Sequence, residues 1–168
     1  MFAGHAALAL FAKGKRPRVP LALFLAVAFA PDWIEWIFAA FGHRNREFSH
    51  SLVSVGIGAT LVALVYGAAR RDWNGALALW LTYASHWPAD FITARKPTWP
   101  GGPTIGLAMY SRPVADALIE SALVGVCWFL YRRSLPEASR TRAGSPLIPL
   151  GLVILQITFL ILISPVQI

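Results

Sequence analysis

Acidic residues and cysteine are both scarce in this chain of 168 residues, which holds eight Asp and Glu and a single Cys. With Cys127 alone, no internal disulfide can form, so cysteine carries no information about redox compartment. Charged residues make up only 14% of the chain, against about 25% in a soluble globular domain. That shortage excludes an ordinary water-facing surface. The N-terminal MFAGHAALALFA has no basic region ahead of its apolar run, and KGKRPR follows where small cleavage-site residues would stand. A cleavable signal peptide is therefore not expected. No fixed-period repeat and no low-complexity tract is found.

What the chain has instead is apolar surface. Hydrophobic residues account for 57%, and the mean hydropathy is +0.57. A spanning helix needs about 20 mostly apolar residues, and five segments qualify: about 20–41, 50–69, 75–93, 113–131 and 146–164. The piece 2–12 is too short to cross alone and reads as a half-helix packed among the others. The expected fold is thus all-α, a polytopic transmembrane bundle forming one integral membrane domain over 1–168. Between the third and fourth segments, ARKPTWPGGPTIGLAMYSRP holds four prolines and three glycines. These forbid a regular helix, so a structured loop capping one end of the bundle is expected.

The net charge is +7, yet its basic residues fall in short clusters between apolar segments. No basic face forms, so a nucleic-acid partner is not expected, whereas membrane flanks are. Lys13, Lys15, Arg16, Arg18, Arg70, Arg71, Arg132, Arg133, Arg140 and Arg142 fall on alternate loops. They total ten, against five on the other side: Arg44, Arg46, Arg95, Lys96 and Arg112. The side with ten is expected to face the cytoplasm.

Ionisable groups inside membrane helices are costly and want a reason. Asp32 and Glu35, at i and i+3, share a helical face, as do His86 and Asp90 at i and i+4. Asp116 and Glu120 repeat the second spacing. Pro31 and Pro88 adjoin the first two pairs, and a proline frees carbonyls and opens space beside it. Counted at about 1.5 Å per residue, the acidic and histidine groups converge on the outer half of the membrane. His50, opening the second segment, is either an ordinary cap residue or a member of the cluster. Asp116 and Glu120 either pair with Arg112 at the interface or join the site. Tryptophans 33, 36, 87 and 99 fit an aromatic interface belt. Carboxylates and imidazoles together are natural ligands for Zn²⁺, with Mn²⁺ or Fe²⁺ as alternatives. A divalent cation would keep a buried Asp ionised and give the histidine lone pairs a partner.

Four short motifs occur in a telling order: Gly4-His5, Pro31-Asp32, NREFSHS from Asn45 to Ser51, and HWPAD from His86 to Asp90. In this the chain resembles the bacterial inner-membrane proteins classed as membrane-bound metal-dependent hydrolases, the LexA-regulated YdjM type. More distantly it is similar to the zinc-dependent phospholipase C group. The resemblance covers roughly residues 4 to 112. Ile34 stands where the family has an acidic residue, with Glu35 one position later. Asn45 stands where the family has a histidine, with His43 two positions upstream. The resemblance implies a multi-pass protein of the bacterial inner membrane, with metal ligands His5, Asp32, His50, His86 and Asp90. It implies hydrolysis of an ester or phosphoester in a lipid or lipid-linked substrate, among membrane lipids as partners. Glu35 or Glu47 is then the expected general base, and Arg46 or Arg112 the expected phosphate-holding group. The rival expectation is a non-enzymatic carrier or interaction partner whose metal only staples helices.

Overall fold

The structure, a computed structural model, describes residues 2–43, 47–142 and 144–163. It is mostly helical. In chain order the elements are α1 (Phe2–Lys15), α2 (Leu21–Ala28), α3 (Ala30–Ala40), α4 (Glu47–His50), α5 (Leu52–Arg70), α6 (Trp73–Ala84) and α7 (His86–Thr93). Two short strands follow, β1 (Lys96–Pro97) and β2 (Thr104–Ile105), and then α8 (Pro113–Ser134) and α9 (Leu147–Ile163).

Two of these helices, α5 and α8, are long and apolar enough to cross a membrane, and α2 with α3 makes a third if counted as one bent span. The expected five spans are not all shown among the described residues. The segment 20–41 is not one rod: its two halves bend by 56°. Pro31, the second residue of α3, has no N–H for the carbonyl four residues back. Segment 75–93 divides at Ser85 into α6 and α7, and Pro88 sits in the first turn of α7, a position suited to a helix start. The last segment forms α9, an apolar helix of 17 described residues.

The helix starts follow from local chemistry. Ser51 caps α5 by accepting from the Ser54 N–H at 3.1 Å, and Asp72 caps α6 by accepting from the Gly75 N–H at 2.9 Å. Pro113 sits in the first turn of α8, where no N–H is missed. Two cores result. Phe24, Val27, Val55, Ala59, Leu79 and Tyr83 join α2, α5 and α6. Ala3, Ala7, Val124 and Cys127 join α1 to α8, the small residues of α1 letting the backbones approach closely. On the outside, Ile57, Leu61, Leu64 and Val65 of α5 and Leu118, Val126 and Phe129 of α8 are exposed. Water does not favour so much contiguous apolar surface; lipid tails do.

The basic loops gather at one end. Lys15, Arg16 and Arg18 share a cavity with Asp72 and Asn74, and Gly14 packs against Tyr131 and Ser134. At the other end lies the Pro/Gly-rich loop, an antiparallel hairpin pairing Lys96 with Ile105 and Pro97 with Thr104. The Val53 N–H donates to Thr98 O at 3.3 Å, the Trp87 Nε1–H to Pro97 O at 3.2 Å, and the Leu107 N–H to Phe91 O at 2.8 Å. Gly106, at φ +153, allows the last of these: a Cβ there would collide with the Ala94 carbonyl. Trp33, Trp36 and Trp99 are exposed, whereas Trp87 is partly buried against the core.

Candidate metal centre

Five short pieces of chain converge beneath the hairpin. His5 comes from the first turns of α1, Asp32 and Glu35 from α3, His50 from the end of α4, His86 and Asp90 from α7, and Lys96 from β1. His5, His50, His86 and Asp90 are buried, and Asp32 is partly so.

The bend between α2 and α3 sets the geometry. The Ala28 carbonyl at that bend accepts from His86 Nδ1 at 2.8 Å. With the proton on Nδ1, Nε2 of the neutral ring would present a lone pair. This Nε2 is buried without a hydrogen-bond partner. It faces two carboxylate oxygens, Asp90 Oδ2 at 3.4 Å and Asp32 Oδ1 at 3.8 Å. Lone pairs facing carboxylates repel unless a cation lies between them.

The other two imidazoles also direct Nε2 inward. Asp90 Oδ1 accepts from His5 Nε2 at 3.2 Å, and Asp32 Oδ1 accepts from His50 Nε2 at 3.1 Å. Ser49 Oγ lies 2.7 Å from His50 Nδ1, and Glu35 Oε2 lies 3.4 Å from the same nitrogen. Histidine ligands characteristically engage their second nitrogen in this way, fixing the ring for coordination. Three groups of side chains each bring one ligand atom apiece to within 4.8 Å of one another: His5, Asp32 and His86; His50, His86 and Asp90; and Asp32, Glu35 and His50. The donor set, three imidazoles and three carboxylates with one orphaned nitrogen, fits a divalent transition metal.

All five sequence-predicted ligands lie in this cluster, and Glu35 lies with them. Glu47 opens α4, one turn before His50. Arg46 lies outside the described residues. Arg112 is exposed at the start of α8. Among the described residues no ion pair joins it to Asp116 or Glu120. Those carboxylates form a second buried network instead. Gln156 of α9 donates to Glu120 Oε1 at 2.8 Å and to Asp116 Oδ2 at 3.3 Å. The Gly4 N–H donates to Glu120 Oε2 at 3.1 Å, and the Ala3 N–H to Gln156 Oε1 at 3.3 Å. The N–H groups at the start of a helix have no intrahelical partner and favour such acceptors. Thus the pair on α8 fixes the helix that carries His5.

Sequence reasoning missed Lys96 and Gln156. Lys96 Nζ lies 2.6 Å from Asp90 Oδ2, yet in sequence it is one more basic residue in a loop. A lone Gln inside the apolar run LGLVILQITF is a signal that could have been read, because an amide in such a run wants an internal partner. Tyr110 is also nearby, hydrogen-bonded to Thr93, and burial together with the charges of Glu120 and Asp90 pushes its phenol up, so it stays neutral.

Compared with family models, curated proteins and solved structures, the chain matches none of them.

Proposed function

We propose that this protein is a metal-dependent hydrolase embedded in the bacterial inner membrane, of the YdjM type, acting on an ester or phosphoester of a lipid or lipid-linked substrate. One observation carries the reading: His86 Nε2, its tautomer fixed by the Ala28 carbonyl, is buried without a partner and faces two carboxylates. His5, Asp32, His50, His86 and Asp90 hold the ion, Zn²⁺ first and Mn²⁺ or Fe²⁺ as alternatives. Bound there, the ion supplies Lewis-acid chemistry, acidifying a water and polarising the scissile group.

The chain's own residues supply the rest. Glu35 is partly exposed and shares one of the candidate ligand groups with Asp32 and His50, which keeps it near enough to receive the proton of an attacking water. The hairpin covers the cluster, limiting bulk water, while the exposed apolar faces of α5 and α8 let a lipid approach laterally. The gathering of ten basic residues at the opposite end supports a site in the outer half of the membrane.

The test is elemental analysis of the purified full-length protein, followed by a screen of phospholipids and phosphoesters for hydrolysis. A bound transition metal with turnover that chelation removes supports the proposal. Metal without turnover on any substrate supports a structural staple, and absence of metal overturns the reading.

A further inference from the structure

Lys96 occupies an unusual place for an ammonium group. Its side chain is only 12% exposed, and Nζ lies 2.6 Å from Asp90 Oδ2. That same oxygen lies 3.4 Å from His86 Nε2 and 3.7 Å from His50 Nε2. Lys96 therefore neutralises a carboxylate belonging to one of the candidate ligand groups. An ammonium and a divalent ion cannot share one carboxylate oxygen closely without strong like-charge repulsion. One of them must move.

The backbone beside Lys96 is held. Pro97 O accepts from Trp87 Nε1, Thr98 O accepts from the Val53 N–H, and Lys96 pairs with Ile105 in the hairpin. Only the four-carbon side chain is free to swing. Once off Asp90, an ammonium so enclosed is costly to leave without an anion. The substrate is the group that arrives next.

Resting on the metal-dependent reading above, we propose that Lys96 is a displaceable cation: it holds Asp90 until the metal binds, and then pairs with an anionic phosphoryl oxygen of the substrate. This selects a phosphoester over a carboxyl ester, whose neutral carbonyl gives an ammonium no charge to pair with. The exposed Arg95 and Arg112 at the same end add to the positive field that draws an anion in.

The experiment uses full-length protein in phosphatidylcholine nanodiscs and the variants K96M, K96Q and K96R, each accepted only if it elutes as the wild type does. Calorimetric titration with Zn²⁺ should show K96M and K96Q binding about tenfold or more tightly than wild type, because a competing cation is gone, with K96R near wild type. Inorganic phosphate should bind the zinc-loaded K96M and K96Q about tenfold or more weakly, and K96R again near wild type. Nanodiscs carrying phosphatidic acid distinguish the sources. If lipid-borne phosphate blocks inorganic phosphate, the headgroup is the ligand; if not, a soluble phosphate is, and either result supports the pairing. Zinc binding weakened in K96M means that Lys96 merely positions Asp90, and overturns the inference. Unchanged zinc and phosphate affinities overturn it equally. A wild type that binds no metal sinks the hydrolase reading and this inference together, an outcome distinct from a metal-binding protein indifferent to position 96.

Discussion

His5 and His86 stack face to face, with ring centroids 4.0 Å apart and planes 8° from parallel. One ring comes from α1 and the other from α7, and His5 is further bonded to Asp90 on the same helix as its stacking partner. Stacked at this distance, two imidazolium ions would repel one another, and both rings direct Nε2 to the same cluster.

Metal binding should therefore fall as pH falls. Neutral imidazole and ionised carboxylate are the ligating forms, so protons compete with the ion at every donor. Zinc titrations of the wild type at pH 8, 7 and 6 should give progressively weaker affinity. Equal affinity at all three would remove histidine from the ligand set.

Removing the α7 pair should abolish the centre. His86→Ala with Asp90→Ala takes away two of the three members of one candidate group and one member of another. Elemental analysis should find the double variant without metal; metal equal to wild type would refute the site.

The hairpin offers a different separation. Replacing residues 98–106 with a flexible Gly/Ser linker removes the β2 pairing and the Gly106 approach to Ala94. It leaves every proposed ligand in place, so metal content should persist while hydrolysis is lost. Persisting activity would reduce the hairpin to a connector.

Gln156→Leu should destabilise the fold. It leaves the buried oxygens of Glu120 and Asp116 and the Ala3 N–H without the partner they have now. A cost of about 2–4 kcal/mol is expected, read as a lower midpoint of thermal unfolding in detergent. An unchanged midpoint would mean that the network carries no stability.

Orientation is testable by cysteine accessibility in intact cells, with buried Cys127 replaced first. Cysteines at Arg70 and Arg140 should be protected from an impermeant reagent, and one at Thr98 labelled. Labelling at position 70 from outside would invert the topology.

Much of the cluster was legible because helical spacing alone puts Asp32 with Glu35 and His86 with Asp90 on shared faces. What spacing could not give was the bend at Phe29, since an apolar window reads 20–41 as continuous whether or not Pro31 breaks it. The bend matters chemically, because it presents the Ala28 carbonyl to His86. Lys96 was hidden for a different reason. A lysine in a basic loop looks like a flank, and only the hairpin register turns it toward Asp90. For Asp116 and Glu120, the nearby Arg112 suggested a local pair, but their partners lie far along the chain, in α9 and at the start of α1.

The distant ties of α1 have a consequence for biosynthesis. His5 is made well before its bonding partner Asp90, which emerges only after α6, and the Gly4 and Ala3 donors wait for Glu120 and Gln156. A chain made from its N-terminus can thus pack α1 against α2 early, but α1 gains these distant bonds only when α7, α8 and α9 have followed. Truncated or stalled chains lacking α9 are left with Glu120 and Asp116 short of their amide partner and α1 poorly anchored. The helix that carries His5 is in this sense anchored by α8 and α9 as much as by its bond to Asp90.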